Sequence, residues 1–230
     1  MEPRPSFQKN IEELQNELDV DIRLGLSSKD AEHRKNMYGE NILRSSEKIS
    51  VFKTFFGQFK DFMVIILIIA ALVSLGLGEI TDAVIILIVI LLNALLGMIQ
   101  ENKAEKSLEA LKDLSSPTTK VIRDGKRIEV KSQNIVIGDI VAIEAGDIAT
   151  ADGVIFQNNN LTMDESALTG ESIPVAKDTI IPRGEDIPLG DRKNYIYASS
   201  LSVSGRGQFI VTATGMDTEI GKIAGLLQHE

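Results

Sequence analysis

The 230-residue chain contains no cysteine and only two histidines. Without cysteine there is neither a disulfide nor a thiolate metal site, and a reducing cytoplasmic setting fits. His33 and His229 lie in polar, helix-like stretches, where solvated side chains are expected. Histidine is too scarce for a Ser-His-Asp arrangement. Positive charge is in deficit: the formal net charge of −9 argues against a nucleic-acid partner. The first 50 residues are polar, so the first apolar run comes too late to be a secretory signal. No internal repeat is present. Charge of either sign is missing from residues 62–78 and 83–100, stretches of 17 and 18 residues.

Those two runs are rich in Ile, Leu and Val on every helical face, with no polar stripe. At about 1.5 Å per residue they reach roughly 25–27 Å, near the thickness of a bilayer core. The alternative is a pair of core helices in a soluble protein, which would extract without detergent. Only Glu79-Ile80-Thr81-Asp82 separates the runs, so they predict an antiparallel helical hairpin. Arg44, Lys48, Lys53 and Lys60 precede it, Lys103, Lys106 and Lys112 follow it, and the turn carries only acids. The positive-inside rule then puts both ends in the cytoplasm and the turn outside. Asn93 and Gln100 are the polar residues of the second span; Asn93 is either a functional group or helix–helix glue.

Before the hairpin, Ile11, Leu14 and Leu18 predict one small helix. Ser27 with Asp30 three residues later predicts the capped start of a second, and Gly39 its stop. Phe52, Phe55, Phe56 and Phe59 suit an amphipathic helix at a membrane interface, or a packed soluble one. The second span continues into good helix formers from Glu101 to Leu114 and stops at Ser115-Ser116-Pro117, which predicts a rigid stalk. From Thr118 the period changes. Val121-Ile122, the Asp124-Gly125 turn, Ile128 and Val130 predict a tight hairpin. Short strands are expected at residues 135–137, 140–143, 154–156, 201–203 and 209–212. Residues 218–229 read as a helix.

The fold class expected is therefore mixed α and β. A helical N-terminal segment (1–50) leads into a transmembrane hairpin with stalk (51–116), then a compact jelly-roll-like β-domain (117–215) and a helical exit (216–230).

Residues 163–172 read Met-Asp-Glu-Ser-Ala-Leu-Thr-Gly-Glu-Ser. Here a carboxylate follows a Gly directly and a Thr by two positions, on a short polar loop. Around it stand Asn102-Lys103-Ala104-Glu105 with Leu108-Glu109-Ala110-Leu111-Lys112, then Gly138-Asp139-Ile140-Val141, Gly146-Asp147 and Ala151-Asp152-Gly153. Pro174-Val175, Lys177, Thr214-Gly215, Thr218 and Ile220-Gly221-Lys222-Ile223 come after it. In this order the blocks resemble P-type ATPases, ion pumps that pass through an aspartyl-phosphate, and within them the calcium-pump subgroup. The β-domain resembles their actuator domain. One departure is Thr150, where the family usually has Pro; it suggests a looser turn.

The resemblance implies that Thr169, Gly170, Glu171 and Ser172 form the loop that removes the phosphate. A carboxylate can hold the attacking water and take its proton, which assigns that part to Glu171. Gly170 would let the backbone approach the phosphate. Thr169 and Ser172 would fix the loop through their hydroxyls. ATP and Mg²⁺ are implied for a full-length pump, with neither bound by this segment alone. The partners implied are the lipid bilayer, the phosphorylation and nucleotide-binding domains of the same protein, and a transported cation, with calcium favoured and sodium, manganese or proton-coupled variants open. The location implied is the plasma membrane. A two-helix membrane module that binds a partner pump without catalysis is the other class.

Two further constellations fail on inspection. The stretch from Gly215 to Lys222 superficially resembles a phosphate-binding P-loop, but its spacing is wrong by one and Ile223 replaces the needed hydroxyl. Asp139, Asp147 and Asp152 suit turn-capping better than a metal cluster.

Overall fold

The computed structural model describes residues 4–43, 57, 62–114, 117–184 and 186–227. The chain divides into two compact units: residues 46–115, and residues 1–45 together with 116–230. The aromatic cluster at Phe52, Phe55, Phe56 and Phe59, the stop at Ser115-Ser116 and His229 lie outside the described residues.

The larger unit is built on one antiparallel sheet of seven strands. The strands are β1 (Thr118–Arg123), β2 (Lys126–Lys131), β3 (Ile140–Glu144), β4 (Asp152–Asp164), β5 (Val175–Ala176), β6 (Tyr195–Ile196) and β7 (Leu201–Ala213). Their order is β2-β1-β3-β7-β4-β5, with β6 on β4. Asp124 and Gly125 make the expected two-residue hairpin, with φ of 51° and 70°, and Arg123 pairs with Lys126 across it. Four register shifts interrupt the β4–β7 ladder. Such bulges bend a strand and sharpen its twist, and Ile155, Leu161 and Met163 of β4 all enter one core with Val121, Val141, Phe209 and Val211.

The alternation of side chains sends Ile122, Ile140, Val154 and Ile210 to a second core. The N-terminal segment fills it with Phe7, Leu14, Val20, Leu26 and Ala31. Helix α1 (Ile11–Leu18) starts at a capping box between Asn10 and Glu13, a signal the hydrophobic spacing did not reveal. Helix α2 (Ser28–Tyr38) starts and stops as the sequence predicts. Ser27 Oγ accepts from the Asp30 amide at 3.1 Å, and Gly39 ends the helix at φ 87°. Long-range hydrogen bonds then sew the segment down. Asn194 Nδ2 donates to the Phe7 carbonyl at 2.8 Å. Asn41 Nδ2 donates to the carbonyls of Ser132 and Thr150, and its Oδ1 accepts from the Gly215 amide at 2.7 Å.

Three expectations need correction. Residues 135–137 form no strand: Ile135 and Val136 are buried in a turn, where the Asp139 carboxylate accepts from the Val136 amide at 2.8 Å. Their apolar character serves burial, not pairing. Residues 201–203 and 209–212 belong to the single strand β7, and Gly205 and Gly207 mark no turn. Gly205 sits at φ 77°, where a Cβ would lie 2.0 Å from the Asn160 carbonyl oxygen, so a bulge requires Gly there. The Thr150 turn is not loose: its hydroxyl shares a hydrogen bond with Thr119 at 2.9 Å, and Asn41 takes its carbonyl.

The other unit is a hairpin of α3 (Phe62–Gly76) and α4 (Ile80–Leu114). The first helix is shorter than the predicted run, because the chain turns at Gly78 with φ 85°. The second is one continuous helix through the expected stalk. The helices meet at Val64, Ala71, Ala83, Ile90 and Ala94, mostly small residues that let backbones approach. By length and composition Ile80–Ala104 can cross a membrane, with mean hydropathy 2.7. Only 17% of its apolar window is buried within this chain, so it is no core helix of the chain itself. Asn93 and Gln100 are exposed, so Asn93 does not glue these two helices together.

Candidate catalytic loop

Strands β4 and β5 are the two sides of a narrow neck. Thr162 pairs with Ala176 and Met163 with Val175, and the chain between them projects as a loop. It begins with one helical turn, α5 (Ser166–Thr169). Asp164 Oδ1 accepts from the Ser166 amide at 3.0 Å. Hydrogen bonds from Ser166, side chain first and backbone second, hold Asp164 below the ordinary carboxylate range. Leu168 anchors the turn in the second core, beside Ile187 and Leu189.

Thr169 is the last residue of that turn. Its hydroxyl donates to the Glu165 carbonyl at 3.1 Å and accepts from the Glu171 amide at 3.3 Å. Gly170 follows in the left-handed region at φ 75°, and its amide donates to the Ser166 carbonyl at 2.9 Å. This is an αL helix end, which favours Gly. A Cβ on Gly170 would touch nothing within 4 Å, so its backbone faces open space. Glu171 and Ser172 are both exposed past the cap. Among the described residues the Ser172 hydroxyl makes no hydrogen bond. The four residues singled out from sequence thus form one short run. Thr169 and Gly170 fix the backbone, and Glu171 leads outward into solvent with its carboxylate free to meet another surface. That arrangement can present a base to a phosphoryl group held elsewhere, and nothing in it builds a closed substrate pocket.

Two charged residues behind the loop were not recognised as a pair in the sequence. Glu165 and Lys177 form an ion pair whose side chains are wholly buried. Twelve residues apart, they give no periodic signal, and charged residues ordinarily lie at the surface.

The remaining acids cap and tie. Asp139 receives Arg123 at 2.6 Å as well as the Val136 amide. Asp147 accepts from the Glu144 amide at 3.0 Å. Asp152 goes beyond a local turn, accepting from the Ala198 amide at 2.7 Å and from the Glu219 amide at 2.8 Å. The second of these opens helix α6 (Glu219–Leu227). No group of three or more potential metal ligands occurs among the described residues. Residues 215–217 form a 3-10 turn before α6, whose first-turn amides are met by Asp152 and by the Thr218 hydroxyl, 3.0 Å from the Gly221 amide. His33 is exposed on α2.

Residues 113–228 match a family model described as the P-type ATPase actuator domain. Residues 7–74 match the model for the cation transporter/ATPase N-terminus. The chain is 46% identical to a calcium-transporting ATPase of Listeria monocytogenes, over 89% of this chain and 23% of that protein. It is 44% identical to calcium-transporting ATPase 1 of Lactococcus lactis, over 89% of this chain and 23% of that one. A sodium/potassium exporting P-type ATPase of Schizosaccharomyces pombe is 38% identical over 98% of this chain and 22% of its own length. The chain therefore spans about a quarter of the length of the curated relatives it matches.

Proposed function

Because the chain belongs to the P-type ATPases, we propose that it is the N-terminal part of an ATP-driven cation pump whose actuator loop hydrolyses an aspartyl-phosphate formed on another domain. The observation that carries this reading is the exposed Glu171, held just past the Thr169–Gly170 cap. When the phosphorylated domain meets the loop, the Glu171 carboxylate orients a water in line with phosphorus and takes its proton as the P–O bond to aspartate breaks. Gly170 keeps side-chain bulk away from the phosphate, and Thr169 holds the Glu171 amide. ATP and Mg²⁺ belong to the domains that make the phosphoenzyme, and this segment binds neither.

The hairpin of α3 and α4 lies in the lipid bilayer of the plasma membrane, with the N-terminus and the actuator domain in the cytoplasm. Its support is the two charge-free apolar runs, 62–78 and 83–100, and the basic residues that flank them along the sequence. Calcium is the favoured cation, on the strength of the two bacterial relatives. The sodium/potassium exporting relative supports a monovalent cation as the second reading.

The test is Glu171→Gln in the full-length protein. Phosphoenzyme should form from ATP at the normal level and decay on the order of 10²-fold more slowly or worse, the usual loss of a general base. Decay at the wild-type rate would remove Glu171 from the role. Dependence of phosphoenzyme formation on calcium, or on sodium instead, assigns the cation.

A further inference from the structure

The Glu165–Lys177 pair spans the neck of the loop: Glu165 lies two residues past Met163 on the loop side of the β4–β5 ladder, and Lys177 one residue past Ala176 on the side away from the loop. Both side chains are fully shielded from solvent. Neither the Glu165 carboxylate nor Lys177 Nζ has another hydrogen-bond partner among the described residues. The Lys177 ammonium also sits over the Tyr197 ring, 5.4 Å from its centre. Tyr197 is itself fixed by donating to the Leu189 carbonyl at 2.8 Å. Burial works against both charges, pushing the Glu165 carboxyl up and the Lys177 ammonium down, and each is opposed by the partner's charge.

The backbone carries this pair into the loop. The Glu165 carbonyl accepts from the Leu168 amide at 2.9 Å, the Thr169 amide at 3.0 Å and the Thr169 hydroxyl at 3.1 Å. The same hydroxyl accepts from the Glu171 amide. On the other side, the Lys177 amide donates to the Leu161 carbonyl at 2.9 Å, and the Lys177 carbonyl accepts from Asn158 Nδ2. A continuous chain of contacts runs from Lys177 through Glu165 and Thr169 to the backbone of Glu171.

We propose that Glu165 and Lys177 are a positioning pair, a buried electrostatic clamp that sets the Glu171 carboxylate for dephosphorylation. This rests on the assignment of Glu171 above. Removing one partner leaves the other charged and buried alone, a state that drives the side chain toward water. If Glu165 turns outward, its carbonyl leaves the Thr169 hydroxyl, and Glu171 loses its fixed origin. The pair thus acts on geometry at the loop tip, and phosphoryl transfer onto the aspartate does not depend on it.

The experiment uses the full-length protein with Lys177→Met, the isosteric Glu165→Gln, both together, and Glu171→Gln alongside. Phosphoenzyme level from ATP, its decay rate, and the apparent affinity for inorganic phosphate in the reverse reaction are measured. Each single variant is expected to form phosphoenzyme normally, keep its phosphate affinity within about twofold, and slow decay about tenfold or more. The double variant is expected to be no worse than the worse single one, since the two residues act as one unit. Should Lys177→Met fail to accumulate, Glu165→Gln decides. Wild-type decay in Glu165→Gln while Glu171→Gln is slow would overturn the clamp and leave Glu171 in its role. An equal loss in phosphorylation, phosphate affinity and decay would also overturn it, because that is the mark of a merely structural pair. Wild-type decay in Glu171→Gln would overturn both readings.

Discussion

At the scale of single residues, the buried acids divide by how they are satisfied. Asp139 has a guanidinium against it, whereas Asp152 has only amides. Burial therefore dominates at Asp152 and pushes its carboxyl up to about 6, although the amides of Ala198 and Glu219 oppose the shift. A raised carboxyl pKa means that the folded chain holds this proton to higher pH than the unfolded chain, where the ordinary value is 3.8. The stabilisation is complete below about pH 4 and is lost as pH rises through about 6. A displacement of roughly two units corresponds to about 3 kcal/mol. Asp152→Asn removes this titration. Urea unfolding of the two proteins at about pH 4, 5 and 7 should show the wild type losing about 3 kcal/mol relative to the variant as pH rises. A constant difference would contradict the assignment. Glu171, by contrast, is exposed, and the role proposed for it depends on reach. The Thr169–Gly170–Glu171–Ser172 run was legible because its residue types and its flanking blocks resemble a family. The pair behind it was not, since solvated and buried charges look alike in a sequence.

Among the elements, those whose cause is local could be read directly. The β1–β2 hairpin follows from Asp124-Gly125, and α2 from Ser27 and Gly39. Elements fixed by distant partners could not. The run 135–137 has strand composition, but its backbone bonds go to local turn partners and to Arg34, and burial in a turn explains its side chains. Strand β7 runs through two glycines because β4 crosses so close to them. The periodicity of α1 foretells a buried stripe without naming its target, which is the second face of the sheet. Outside its helices, Asn41 ties that segment down with three side-chain hydrogen bonds, to Ser132, Thr150 and Gly215. Asn41→Ala leaves the Thr150 carbonyl and the Gly215 amide without these partners, while the Ser132 carbonyl keeps the Ile135 amide, and should cost about 2 kcal/mol. Limited proteolysis should then cut near residues 40–43 faster than in wild type. Unchanged cleavage would mean that the hydrophobic contacts alone hold the segment.

For the molecule as a whole, the proposed topology gives a direct test, to which residues 1–230 contribute no background thiol; any cysteine elsewhere in the full-length protein is replaced first. Thr81→Cys places one thiol in the first turn of α4, next to the connection from α3, and Ser204→Cys one in the β-domain. In intact cells a membrane-impermeant maleimide should label the first and spare the second, and opening the cells should expose the second. Labelling of both, or of neither, in intact cells would refute the arrangement with the turn outside. The same architecture sets a timetable during synthesis. Phe7 finds Asn194 only after 187 more residues have been made. At roughly 5–20 residues per second that is about 10–40 s. Within this interval the first helices, the hairpin and strands β1–β5 are made, while β6 and β7, which complete the second core, do not yet exist. The N-terminal segment must stay unassembled and accessible until the last long strand emerges, so for that time its fate is open to whatever chaperone or protease reaches Phe7 and Leu14 first.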